Sequence, residues 1–352
     1  MLSERSLRQT LWESIAGDRD LVFFGLSFLI WLSGYLSTSP KNVWVGILGS
    51  SFFLAGISFY FQKHRTLARQ LTGTKHIPVV CVVGKPDSEA QRTFALAKEA
   101  ISRVTGFRAF QVMERFFRIK LSLSHFEMPL PPEAAVWEEF IYRIQERIDC
   151  LANALYGPKV YHIFIQGPAS LAIGLGAVFG WKHPVVAYQW AAGEYEPVLD
   201  LRERPRKPKE KLPVAEGYRF IKLPPDYLEG LTEDTVVVLG MAGHPPWGDV
   251  EHFIRNVRKV NWKIVTVENT YGGTLKQADW GRVAQELYSV FYDLHNDPRV
   301  RRIHLFHSMP GALAFGLGAA LGTAVPVTVY NWEAKENTYY AVLELNKLKS
   351  RL

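Results

Sequence analysis

The sequence predicts an α/β protein in which two similar, Rossmann-like halves follow a membrane-spanning helical hairpin. Three observations predict it. Residues 161–190 (YHIFIQGPASLAIGLGAVFGWKHPVVAYQW) recur without a gap as residues 303–332 (IHLFHSMPGALAFGLGAALGTAVPVTVYNW), with 14 of 30 positions identical at an offset of 142. Each copy reads strand, proline, Ala/Gly/Leu-rich helix, proline, strand, which is the grammar of a βαβ unit. A continuous apolar, β-branched run opens each half, IPVVCVVG at 77–84 and TVVVLG at 235–240. Ahead of both lie two charge-free stretches, each long enough to cross a bilayer.

Taken in order, residues 1–20 are mixed in charge and mildly amphipathic. Residues 21–40 and 42–62 contain no Asp, Glu, Lys or Arg, and only Lys41 separates them. At about 1.5 Å per residue, each stretch matches a hydrocarbon core of about 30 Å. The polar turn Ser37–Asn42 joins them, with Trp31, Tyr35 and Trp44 nearby as interfacial aromatics. Arg5, Arg8, Arg19, Lys63, Arg65, Arg69 and Lys75 flank this hairpin, against Lys41 in the turn, so both termini are expected in the cytoplasm. Gly46, Gly49, Ser50, Gly56 and Ser58 give the second span a small-residue face suited to close packing. Residues 63–75 form a basic juxtamembrane linker.

The body divides into halves at 76–200 and 217–352, joined by 201–216, a basic, proline-rich stretch expected to be a solvated linker or flexible loop. Helical spacing marks 88–104 and 134–155 in the first half, and about 250–260 and 278–296 in the second. The two repeat helices are read as buried against a sheet and not as membrane spans, because prolines at both ends cut each apolar run short. Their glycines, Gly174 and Gly180 or Gly316 and Gly322, are expected to let each helix approach its sheet. His162 and His304 lie inside strands and read as structural. Cys81 and Cys150 have no CxxC partner and read as buried, reduced thiols.

The net charge of +7 is uneven: residues 1–75 carry 8 Lys/Arg against 4 Asp/Glu, and the remainder 33 against 30. A nearly neutral body argues against binding duplex nucleic acid through a basic face. No GxxxxGK[ST], HExxH, CxxC or GxSxG motif occurs, so no catalytic group, metal site or cofactor is assigned. Open α/β sheets bind ligands past the carboxyl ends of their strands. Four loops qualify, and they supply the candidate ligand-binding residues. These are Gly84, Lys85 and Pro86; Gln166, Gly167, Pro168 and Ser170; His244 and Trp247; and His307, Ser308, Met309 and Pro310. Trp190 and Trp332, near the ends of the last repeat strands, complete the set. Small residues, helix N-termini, a lysine and aromatic faces suit a nucleotide.

The duplicated half, with its IFIQGPASLAIGLG and HLFHSMPGALAFGLG signatures and terminal VAYQW and VTVYNW, resembles the SAVED domain over about residues 76–352. That family fuses two CARF-like halves and senses cyclic oligonucleotides in bacterial anti-phage systems. With its hairpin, the chain resembles the two-transmembrane SAVED effectors of CBASS. The resemblance implies a non-enzymatic receptor in the bacterial inner membrane. Its ligand would be a cyclic trinucleotide of the cyclic tri-adenylate kind. Self-association on binding would bring hairpins together and disrupt the lipid bilayer in abortive infection. The alternative is a membrane-tethered enzyme that degrades or transfers a nucleotide, using a histidine of the 240–247 or 307–311 loop.

Overall fold

The β-branched runs become the centres of two sheets. The computed structural model describes residues 74–348 except 106–122, 156, 181–182, 203–210, 213–216, 272–274 and 277–278, together with Leu32 and Ser58, both helical. The first sheet contains β1 (Lys75–Val83), β2 (Leu123–Phe126), β3 (Lys159–Gln166), β4 (Val185–Ala191) and β5 (Glu194–Asp200), ordered β2-β1-β3-β4-β5. Between them run α1 (Asp87–Thr105), α2 (Ala134–Ala154) and α3 (Ala169–Phe179). The second sheet contains β6 (Ile221–Lys222), β7 (Asp234–Gly240), β8 (Lys263–Asn269), β9 (Arg302–Ser308), β10 (Val327–Glu333) and β11 (Thr338–Glu344), ordered β11-β10-β9-β7-β8-β6. Its helices are α4 (Trp247–His252), continued by a π turn at Phe253–Val257, then α5 (Trp280–Asn296) and α6 (Gly311–Leu321).

The repeat extends to topology. In each half four strands pair in parallel and the last folds back antiparallel: β2-β1-β3-β4 with β5, and β8-β7-β9-β10 with β11. Both antiparallel pairs break register at the same place, between Ala187 and Tyr188 and between Val329 and Tyr330. Side chains follow suit. Phe164 stacks on Tyr188 at 4.3 Å and Phe306 on Tyr330 at 4.2 Å. His162 Nδ1 meets the Tyr188 hydroxyl at 2.9 Å, and His304 Nδ1 meets that of Tyr330 at 3.1 Å. The structural reading of both histidines therefore holds.

The halves interlock through α3 and α6. Ten of the eleven residues of each helix are buried, so these apolar helices have no face left for water. Gly176 and Gly318 mark the crossing. A Cβ on Gly176 would lie 2.1 Å from the Phe315 carbonyl oxygen, and one on Gly318 would lie 2.0 Å from that of Ile173. Backbone meets backbone there, which only glycine permits. This corrects the glycine reading. Gly180 and Gly322 end their helices at φ 57° and 64° with open space around them, and bring nothing closer to a sheet. Gly174 faces Ile141 of α2 and Leu343 of β11, so its neighbours come from both halves, and Gly316 likewise faces Leu199 of β5 and Ala284 of α5.

Other expectations need correction. Cys81 is buried, and burial pushes its thiol up to about 12, but Cys150 is exposed on α2. The stretch 201–216 is not solvated throughout: Leu201 and Leu212 are buried, the Leu212 N–H donates to Ser289 Oγ at 3.0 Å, and Lys211 pairs with Asp293. The hairpin expected at 21–62 and the linker at 63–75 lie outside the described residues, apart from Leu32, Ser58, Thr74 and Lys75. Among the described residues no helix is long and apolar enough to cross a membrane.

Candidate ligand-binding crevice

The interlock decides where the strand ends meet. Gly311, at the start of α6, has the carbonyl oxygen of Ile165 (β3) as the nearest neighbour of its Cβ position, at 3.7 Å. Reciprocally, Ser170, at the start of α3, lies 3.0 Å from His307 Nε2 of β9. Each repeat helix thus begins against the carboxyl end of the other half's central strand, so residues of both halves meet at the candidate crevice. Pro168 and Pro310 are the N-caps, and neither supplies a side-chain hydrogen bond to its helix. Uncapped first-turn N–H groups with a helix dipole behind them favour an anion.

The crevice is not symmetric. On one side the Ser170 hydroxyl lies 3.2 Å from the Tyr330 carbonyl oxygen, 3.1 Å from Asn331 Oδ1 and 3.0 Å from His307 Nε2. A hydroxyl has one proton to give, and both oxygens can only accept. With that proton given to one of the oxygens, His307 donates through Nε2–H, which leaves Nδ1 as an acceptor. That Nδ1 is shielded from solvent and has no hydrogen-bond partner among the described residues. Burial pushes the ring's pKa down to about 4, so it is neutral at pH 7. On the other side the equivalent of Ser170 is Ala312, whose N–H makes a long contact to Gln189 Oε1 at 3.5 Å.

At the end of β3 the Gln166 amide is already held. It accepts from Thr93 Oγ1 at 2.7 Å and donates to Glu89 Oε1 at 3.3 Å, while Lys85 Nζ reaches the same carboxylate oxygen at 3.3 Å. His125 contacts the Lys85 carbonyl oxygen at 2.6 Å. Gly84 and Pro86 are exposed beside Lys85, and Gly167 packs against Val83 at the end of β1. Ser308 accepts a backbone hydrogen bond from Met241 at 2.8 Å, tying the ends of β9 and β7 together. Met309 is buried.

The remaining candidates separate from this cluster. His244 is exposed. Trp247 lines a groove on the face of the second sheet covered by α4. Trp190 is 44% exposed and Trp332 half-buried, each edge-on to a tyrosine of the following strand, Tyr195 and Tyr339. Gln189 and Asn331 were absent from the candidate set and belong in it. Their signal was position: each immediately precedes a repeat tryptophan, so in a strand it faces the opposite way, toward the other half's helix. Among the described residues no group of three or more His, Cys, Asp or Glu could hold a metal ion.

Residues 209–345 match the model of the SMODS-associated and fused to various effectors sensor domain, SAVED. That stretch of the chain is similar to a SAVED domain. The matched residues cover the second half, and the first repeats its strand order. Two solved structures are similar over most of the chain. One is the Acinetobacter baumannii Cap4 SAVED/CARF-domain containing receptor with the cyclic trinucleotide 3′3′3′-cAAA, at TM-score 0.50 and 15% identity, covering 86% of this chain and 60% of that one. The other is the same receptor with 2′3′3′-cAAA, at TM-score 0.50 and 14% identity, with the same coverage. At such identity the likeness is one of fold, and this chain spans 60% of the receptor's length. No curated protein matches the sequence.

Proposed function

We propose that the protein is a membrane-anchored receptor and effector. Its SAVED domain binds a cyclic oligonucleotide of the cyclic tri-adenylate kind in the crevice between the two halves. Ligand then drives self-association, the hairpins of residues 21–62 gather in the bacterial inner membrane, and the bilayer is disrupted to abort phage infection. One observation carries this reading: two helix N-termini, one from each half and neither capped by the side chain of its own N-cap proline, meet at the carboxyl ends of the strands. A cyclic phosphodiester presents several anionic groups on one ring, and two such helix ends supply donors from two directions. The SAVED match and the cyclic trinucleotides bound by the similar receptors favour the same ligand class. Energetically the ligand must bind the assembled state more tightly than the monomer, since equal affinity for both shifts nothing.

On this reading the ligand is bound and not turned over; Ser170, in contact with His307, is fully buried. Incubating the full-length protein with radiolabelled cyclic tri-adenylate tests both points. Retained, intact ligand is expected; steady conversion to a linear product would replace the receptor by a nucleotide-degrading enzyme. Lys85→Ala is expected to weaken retention about tenfold or more, the loss of one charge-assisted contact.

A further inference from the structure

The two halves differ on their outer faces. In the first, α1 is a 19-residue helix that buries Ala90, Thr93, Ala97, Ala100 and Ile101. Its counterpart in the second half is six α-helical residues and a five-residue π turn, ending at Val257. The short helix leaves β8 partly uncovered. Val265 and Val267 are buried on one face of that strand, whereas Ile264 and Thr266 on the other are only half-buried. The space left is a groove of about 470 Å³ with Val238, Ile264 and Thr266 among its lining residues. Small-molecule sites run from about 300 to 1,000 Å³.

Its chemistry is selective. Trp262 and Trp247 both line the groove, and both indoles are fixed. Trp262 stacks on His304 at 4.1 Å and 18°, and Trp247 packs so tightly on the last residue of β7 that a Cβ at Gly240 would come within 2.5 Å of the ring. Arg255 stands on the π turn, its guanidinium held by Asn261 Oδ1 at 2.6 Å, and Lys263 lies at the start of β8. Neither Lys263 nor Glu251, which also lines the groove, forms an ion pair among the described residues. Single π turns recur at functional sites. Rigid indoles offer stacking surfaces to a planar ring, two cations attract an anion, and a carboxylate accepts from an amino or hydroxyl group.

We propose that this groove is a second ligand site, distinct from the crevice, for a planar aromatic ring bearing an anionic group and about the size of a mononucleotide. The probe is radiolabelled adenosine 5′-monophosphate, added to the full-length protein in equilibrium dialysis, with inorganic phosphate as competitor. Saturable binding is expected, displaced poorly by equimolar phosphate. Arg255→Glu and Thr266→Trp, the latter filling the floor of the groove, are each expected to weaken it about tenfold or more without lowering the melting temperature. Lys85→Ala should leave it unchanged, and Thr266→Trp should leave cyclic tri-adenylate retention unchanged. Absence of saturable binding at millimolar nucleotide, or binding that survives Thr266→Trp in a folded protein, would overturn the proposal. So would loss of binding with Lys85→Ala, which would assign the nucleotide to the crevice. If the groove variants alter sedimentation and not nucleotide binding, the groove is a contact between copies of the chain and the proposal fails.

Discussion

At the scale of single residues, the buried polar groups are arranged as chains that run through histidine. In the first half His76 Nδ1 meets His162 Nε2 at 2.9 Å, and His162 meets Tyr188; in the second, Asp234 occupies the position of His76, 3.0 Å from His304 Nε2. Burial, with His76 and Arg202 nearby, pushes His162 down to about 3, and burial alone holds His307 at about 4. An unfolded histidine titrates near 6.5, so between these limits the unfolded chain binds more protons than the folded one. Stability is therefore complete above about pH 7 and falls as pH drops below about 6.5, by roughly 1.4 kcal/mol per pH unit for each such group. Thermal unfolding between pH 7.5 and 5 is expected to show this decline, with a shallower slope in His307→Gln. Ser170→Ala removes the hydroxyl that joins His307, Tyr330 and Asn331. It should cost about 1–3 kcal/mol, measured by denaturant unfolding, because buried partners lose their hydrogen bonds. None of this contact was legible in the sequence. Ser170 and His307 are 137 residues apart, and only the crossing of two helices brings them together.

At the scale of elements, the sequence was most readable where period and length agreed. Helices expected at 88–104, 134–155 and 278–296 are observed at 87–105, 134–154 and 280–296. The last strand of each half was harder to read. The stretch EYEPVLD contains Pro197, which argues against a strand interior but is tolerated where the strand has a free edge, as β5 has. Strand β11 was hidden by the polar turn ahead of it. The helix expected at about 250–260 ends early in a π turn, a change of hydrogen-bond pattern that hydrophobic spacing does not encode. The repeat glycines were visible, yet their division of labour was not, since crossing and helix end use the same residue type. Gly176→Ala is expected to lower stability by more than about 3 kcal/mol, above the usual cost of overpacking, because the obstructing atoms are backbone. Urea unfolding would measure it, and a loss under about 1 kcal/mol would mean that α3 and α6 can separate at that point.

At the scale of the whole molecule, the proposed division of labour between membrane and sensor makes a paired prediction. A chain beginning at Thr74 should be soluble, bind cyclic tri-adenylate as tightly as the full-length protein, form larger species with ligand in sedimentation, and leave liposomes intact. Gly46→Leu, Ser50→Leu and Gly56→Leu together in the full chain should keep binding and assembly but abolish dye leakage, since close helix packing is lost. A truncated protein that binds yet stays monomeric would move the assembly contact to the N-terminal region. The interlock of α3 and α6 has a different kind of consequence. Each of these helices is almost wholly apolar and finds part of its burial in the opposite half, so neither half is a finished object. Both halves also keep the same one-residue irregularity in the last strand pair. A single ancestral half would have met the same burial problem, and its solution would have been a second copy of itself. The present chain then reads as an obligate homodimer made permanent by fusion. Polypeptides 74–202 and 211–352, produced separately, should precipitate; produced together in one cell, they should complement one another and purify as a pair.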